Sequence, residues 1–327
     1  MTVEGDRSII AEPRLAAAMT PRSWVGFAIK LLLTVAILGL LVRRADWHAV
    51  LQRASGAHRP LLLAAVAVIM GAIFLAAARW RRLMRRNGIL ATRSWAIRAA
   101  FTSLFIGQFL PGTVGADGAK LWLLWRAGHP LRSGAASIVA DRVAALIGVL
   151  ALIVASLPDL LSLSAPDMVH AVLAAVVAIA VALGLVLCVR IRLPAGLRGG
   201  RLEAASRMLD DVRSSLWSSA AAMAVALSVS IHLLAVTAVV LIATALGVAL
   251  DFRHAVGIVA TSVLLAAVPL SVNGWGIREG AMVAGLSLVD IGQADAFLIS
   301  VLFGLGMMLA TLPGAALWLF RGWTREA

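Results

Sequence analysis

The sequence predicts an all-α polytopic membrane protein, with six transmembrane helices plus two oppositely oriented re-entrant helical hairpins arranged as an inverted repeat. Three observations predict it. Of the 327 residues, 61% are hydrophobic and only 14% charged, and the mean hydropathy is +0.96, far from a water-soluble domain. Several apolar runs reach the roughly 20 residues that cross a bilayer core. Two further apolar regions are interrupted near their middles by proline and glycine, at matching places in the two halves of the chain.

The full spans fall at about 24 to 42, 60 to 78, 134 to 157, 168 to 189, 217 to 247 and 296 to 320. The fifth is long enough to require tilt. The interrupted regions are 99 to 125 and 255 to 289. Residues 1–327 therefore read as a single membrane domain whose halves, about 24 to 157 and 168 to 320, share the order span, span, hairpin, span. An alternative makes each interrupted region two thin crossings instead of a hairpin.

Basic residues in short loops tend to remain cytoplasmic. Segment 79 to 98 holds Arg79, Arg81, Arg82, Arg85, Arg86, Arg93 and Arg98, and segment 190 to 213 holds six more arginines, whereas Pro158 to Asp167 carries two Asp and no base. Both termini are thus expected in the cytoplasm. The first hairpin then enters from inside and the second from outside, the inverted pattern of transporters whose broken helices meet at a midplane binding site.

The formal charge of +13 is spread between apolar runs, so it reads as a topology signal and not as a nucleic-acid face. Cys188 is the single cysteine, which excludes an intrachain disulfide or a cysteine metal cluster. No phosphate loop, HExxH or GxSxG motif occurs. The expectation is a protein that is not an enzyme, binds no cofactor, and takes a membrane lipid as its ligand. A membrane-embedded enzyme on lipid-linked substrates and a non-catalytic scaffold are the alternatives.

Non-helical backbone inside a bilayer persists only where protein or a wet cavity satisfies it. The first break runs Pro111-Gly112-Thr113-Val114-Gly115-Ala116-Asp117-Gly118-Ala119-Lys120, and the second runs Pro269 through Asn273-Gly274-Trp275-Gly276-Ile277-Arg278-Glu279-Gly280. Each returning arm presents a helix N-terminus that favours an anion. Buried charges cost at least ~2.5 to 3.5 kcal/mol each on insertion scales. The candidate substrate-binding residues are Pro111, Gly115, Asp117, Lys120, Asp141, Arg142, Asn273, Gly274, Gly276, Arg278 and Glu279. Asp117 and Lys120 are expected to share a helix face, and Arg278 and Glu279, adjacent and about 100° apart, to look to other partners. Asp141 is too short to snorkel and needs a partner inside. His232 reads as hydrogen-bonded within the bundle, and Trp80, Trp95, Trp122, Trp125, Trp318 and Trp323 read as interface anchors.

At these residues the chain resembles the lysylphosphatidylglycerol synthase transmembrane, or flippase-like, family of inner-membrane proteins. The likeness rests on Pro111 to Lys120, similar to the family's P-x3-G-G-D-x2-R; on Asp141-Arg142, similar to its acidic-Arg pair; and on Gly274 to Gly280, similar to its G-x-G-x-R-E-G. Ala116 stands where the family usually has Gly, and Lys120 where it usually has Arg. The resemblance implies a multi-pass protein of the bacterial inner membrane, without the synthase domain, that translocates a phospholipid, hopanoid or polyprenyl-linked head group. A second copy or a pathway enzyme is the protein partner left open.

Overall fold

The computed structural model describes residues 47–109, 114–161, 166–188, 200–268 and 271–320, with residues 31, 32, 34–37, 39, 40 and 43 of a preceding helical segment. Every regular element among the described residues is a helix. In chain order these are α1 (Trp47–Ser55), α2 (Arg59–Arg86), α3 (Arg93–Phe109), α4 (Val114–Arg126), α5 (Leu131–Ala155), α6 (Leu157–Leu161), α7 (Pro166–Cys188), α8 (Gly200–Leu216), α9 (Ser219–Ala245), α10 (Phe252–Ala266), α11 (Ile277–Ser287), α12 (Gln293–Thr311) and α13 (Pro313–Phe320).

Among the described residues, four stretches are long and apolar enough to cross a membrane: Arg59–Arg86, Leu131–Ala155, Ala221–Ala245 and Gln293–Leu319. They correspond to the spans predicted at 60 to 78, 134 to 157, 217 to 247 and 296 to 320. The span predicted at 168 to 189 is helical as α7. Most of the span predicted at 24 to 42 lies outside the described residues, and those described within it are helical. Part of the basic segment 190 to 213 is α8, whose Met208, Val212 and Leu216 recur every four residues and pack with Leu83, Ala136 and Ala140. Arg132 on α5 fastens this helix through Asp211 at 2.8 Å.

Each interrupted region folds as two helices packed on each other, α3 with α4 and α10 with α11. Their arms have 17 and 13 residues, and 15 and 11 residues. At 1.5 Å per residue the longest arm measures about 25 Å and the shortest about 16 Å, all short of a hydrocarbon core of about 30 Å. Close crossings hold the arms together. A Cβ on Gly107 would lie 2.8 Å from that of Ala116, and one on Gly285 would lie 2.7 Å from Ile258 Cγ2. Ala116, in place of the family's usual glycine, thus faces a glycine across the first hairpin.

The packing of one half repeats in the other. Contact of α2 with α3 corresponds to α9 with α10, α4 with α5 to α11 with α12, and α2 with α12 to α9 with α5. Likewise α3 with α12 corresponds to α10 with α5, and the short α13 on α3 to the short α6 on α10. The axis of this exchange is the α2–α9 crossing, the most extensive contact in the molecule. Glycines allow the equivalent close approaches: Gly148 of α5 faces Ser228 of α9, and Gly306 of α12 faces Ile69 of α2. Gly148 has backbone atoms of residues 228 and 229 at 3.0 and 3.1 Å from where a Cβ would stand. Gly148→Leu is therefore expected to cost about 1–3 kcal/mol through overpacking, read as a lower unfolding temperature in detergent; unchanged stability would contradict this crossing.

Candidate functional site

The Asp141 carboxylate sits at the junction of four helices. One oxygen accepts from Arg79 Nε of α2 at 2.7 Å, and the other from Lys120 Nζ of α4 at 3.3 Å. Arg79 reaches Ser228 Oγ of α9 at 2.9 Å with a second nitrogen. The Lys120 ammonium also lies 4.8 Å from the centre of the Trp80 ring, whose Nε1 donates to Ser137 Oγ at 3.3 Å. Buried charges survive where they are paired and hydrogen-bonded, and here one carboxylate serves two cations.

The neighbouring pair is crossed. Asp117, in the first turn of α4, accepts two bonds from Arg142 of α5, at 2.8 and 3.0 Å, in the planar fork that a guanidinium offers a carboxylate. Asp117 and Lys120 therefore turn to different partners on α5 instead of pairing with each other. Arg142 is the accessible member, its side chain 48% exposed, against 12% for Lys120 and 8% for Arg79. The cluster combines three bases, Arg79, Lys120 and Arg142, with two acids, Asp117 and Asp141. Among the described residues of this cluster, the bases outnumber the acids by one.

At the second break, Asn273, Gly274 and Gly276 all have positive φ, at 49°, 79° and 87°. This left-handed run lets the chain reverse into α11. Glu279, in the first turn of α11, accepts the Gly276 N–H at 2.7 Å and the guanidinium of Arg278. The adjacent Arg278 and Glu279 thus bond to each other, contrary to the expectation of separate partners, because the arginine folds back over the helix end. Arg278 also lies over the rings of Trp275 and Phe303 and donates to Met307 Sδ at 3.2 Å. Gly304 leaves the space that this guanidinium and the Trp275 ring fill.

The second break touches the end of α3. Asn273 Nδ2 donates to Gln108 Oε1 at 2.7 Å, joining the turn before α11 to the last residues of α3. The preceding helical segment closes the other side, where Val272 N–H donates to Thr34 Oγ1 at 3.0 Å and Ile37 packs over Gly276.

Of the candidate residues, Asp117, Lys120, Asp141 and Arg142 assemble on α4 and α5, with Gly115 buried in the first turn of α4. Asn273, Gly274, Gly276, Arg278 and Glu279 form the second turn. Pro111 lies outside the described residues. Arg79, Ser228, Trp80 and Gln108 join the site without having been among the candidate binding residues. Arg79 was read as one of a run of cytoplasmic bases, but it is buried on the face that carries Leu83. Trp80 and Trp95 were read as interface anchors; both are buried, their rings 6.0 Å apart. Trp318 is exposed, and Trp323 lies outside the described residues. His232 bonds to the Ala145 carbonyl at 3.2 Å within the bundle. Among the described residues no three His, Cys, Asp or Glu side chains form a metal-sized group.

The family model described as "Lysylphosphatidylglycerol synthase TM region" matches residues 27–314. No curated protein matches the chain.

Removing the shared carboxylate strands two cations. Asp141→Asn is expected to cost about 3–5 kcal/mol, and Arg79→Met/Asp141→Asn to recover part of that loss because it removes one stranded charge. Thermal unfolding in lipid nanodiscs reads both; an Asp141→Asn protein as stable as the parent would contradict the pairing.

Proposed function

The chain belongs to the lysylphosphatidylglycerol synthase transmembrane family, a multi-pass membrane protein tied to lipid metabolism or translocation, and from that membership we propose that it translocates a lipid or lipid-linked head group across the inner membrane. Six spans cross the bilayer, with both termini cytoplasmic. The α3–α4 and α10–α11 hairpins enter from opposite leaflets and meet near the midplane. The exchange of contacts between halves supports this inverted repeat, as does the shortness of the hairpin arms.

One observation carries the reading: the charged pairs beside the two breaks differ in access. The Arg142–Asp117 pair is 48% and 21% exposed, whereas the Arg278–Glu279 pair is 5% and 0% exposed. Unequal access on the two sides of a repeated scaffold supports alternating access, in which the repeats rock about a midplane site. The head-group phosphate would enter at Arg142 and take the excess charge of Lys120, exchanging with Asp117 and Asp141 for these bases. Acyl chains would remain in lipid. On the opposite stroke Arg278 would be freed from Glu279 and the aromatic rings to receive it. No covalent chemistry is required, so the protein is read as a transporter and not as an enzyme.

Lys120→Met leaves Asp141 its bond to Arg79, so the variant should fold. In proteoliposomes with leaflet-specific lipid probes, Lys120→Met and Arg142→Gln are each expected to slow head-group movement about tenfold, the worth of a charge-assisted hydrogen bond. No movement by the parent protein for any anionic, zwitterionic or polyprenyl lipid would contradict the proposal, and product formation on a lipid substrate would replace it with the enzymatic reading.

A further inference from the structure

Away from the Asp141 cluster, the same helix carries a second basic feature. A groove of about 390 Å³ runs between α2 and α3, lined by Arg81, Arg82, Arg85 and Arg93 at one end and by Phe74 and Ile97, among other apolar residues, at the other. Arg79 faces the buried cluster, but Arg81 and Arg85 open on this other face. None of the four groove arginines has a carboxylate partner among the described residues. Arg81 is held by its Nε, which donates to the Ala91 carbonyl at 2.9 Å and leaves its terminal nitrogens for a ligand. Arg82 bonds to Ala78 of its own helix.

Four like charges converging without an acid among the described residues repel one another and favour an anion whose oxygens can accept from more than one guanidinium. The apolar end tells which kind. At 100° per residue, Leu63, Phe74, Arg81 and Arg85 fall within about 40° of one line along α2. Leu63 and Phe74 are exposed, 71% and 46%, on a helix long and apolar enough to span a membrane. The stripe therefore leads from lipid-facing apolar side chains directly to the arginines. Phe101 of α3 meets the Phe74 ring edge-on at 5.2 Å.

We propose that this groove binds the phosphodiester of an anionic glycerophospholipid, with Arg81, Arg85 and Arg93 as its forks and the Leu63–Phe74 stripe bearing an acyl chain. The site is separate from the Asp141 cluster and does not depend on the translocation reading. Arg85 and Arg93 suit substitution because no intramolecular hydrogen bond is recorded for either side chain among the described residues.

Native mass spectrometry of the purified full chain, given phosphatidylglycerol or phosphatidylcholine, tests it. The parent protein is expected to retain phosphatidylglycerol preferentially, and Arg85→Gln/Arg93→Gln to weaken that retention about tenfold with helicity unchanged. The loss caused by Arg85→Gln/Arg93→Gln should be the same in a Lys120→Met background, which separates failure here from failure of the translocation site. If the double glutamine variant does not insert, Arg85→Lys/Arg93→Lys keeps the loop basic and should still weaken retention by losing the forks. Equal retention of both lipids by the parent, or undiminished retention in both double variants, overturns the proposal. Displacement of the lipid by an equal concentration of glycerol phosphate overturns the lipid assignment in favour of a free anion.

Discussion

A helix broken inside an apolar chain exposes N–H and C=O groups that hydrocarbon cannot satisfy, and each such group costs several kcal/mol if left alone. The second break meets this demand with partners from three directions. Val272 N–H is taken by Thr34, Gly276 N–H by Glu279, and the Asn273 side chain by Gln108 of the opposite hairpin. Because these partners come from the preceding helical segment, from α11 itself and from α3, the break can form only when the two halves are docked. The charged residues then follow: a carboxylate that caps α11 needs a base, and Arg278 is the base within reach.

The same logic shapes the first hairpin, with the charges distributed differently. Asp117 lies in the first turn of α4 and binds Arg142, and Asp141 holds Arg79 and Lys120. Ion pairs so placed add little net stability over apolar packing, yet removing one member strands the others. On the translocation proposal, a head-group phosphate would compete with Asp117 for Arg142. This pair is exposed, whereas Arg278–Glu279 is closed.

Four of the spans, and the division of each interrupted region into two helices, were legible in the sequence because they depend on run length and on proline and glycine, which act locally. Pairings were not, because they depend on which helix faces meet. Arg79 illustrates the limit: it begins a run with Arg81, Arg82, Arg85 and Arg86, and only helical phase, four residues before the buried Leu83, separates it from its neighbours. Trp80 and Trp95 lie where an aromatic belt belongs by position, yet they pack inward since the α4 and α5 helices cover them. Gln108 had no signal beyond being a lone amide at the edge of a break. The crossed pairing of Asp117 with Arg142 and Lys120 with Asp141 required knowing the register of α4 on α5, which glycine contacts such as Gly134 against Leu121 and Leu124 establish.

The central claim is that the two broken segments meet inside the membrane. Its most direct measurement is cross-linking of Gln108→Cys/Asn273→Cys in a Cys188→Ala background, in intact membranes, with a short membrane-permeant thiol reagent. Efficient intramolecular cross-linking, protected from impermeant reagents added to either side, is the predicted result. Cysteines that do not cross-link, or that each react freely with an impermeant reagent from a separate aqueous face, would contradict it.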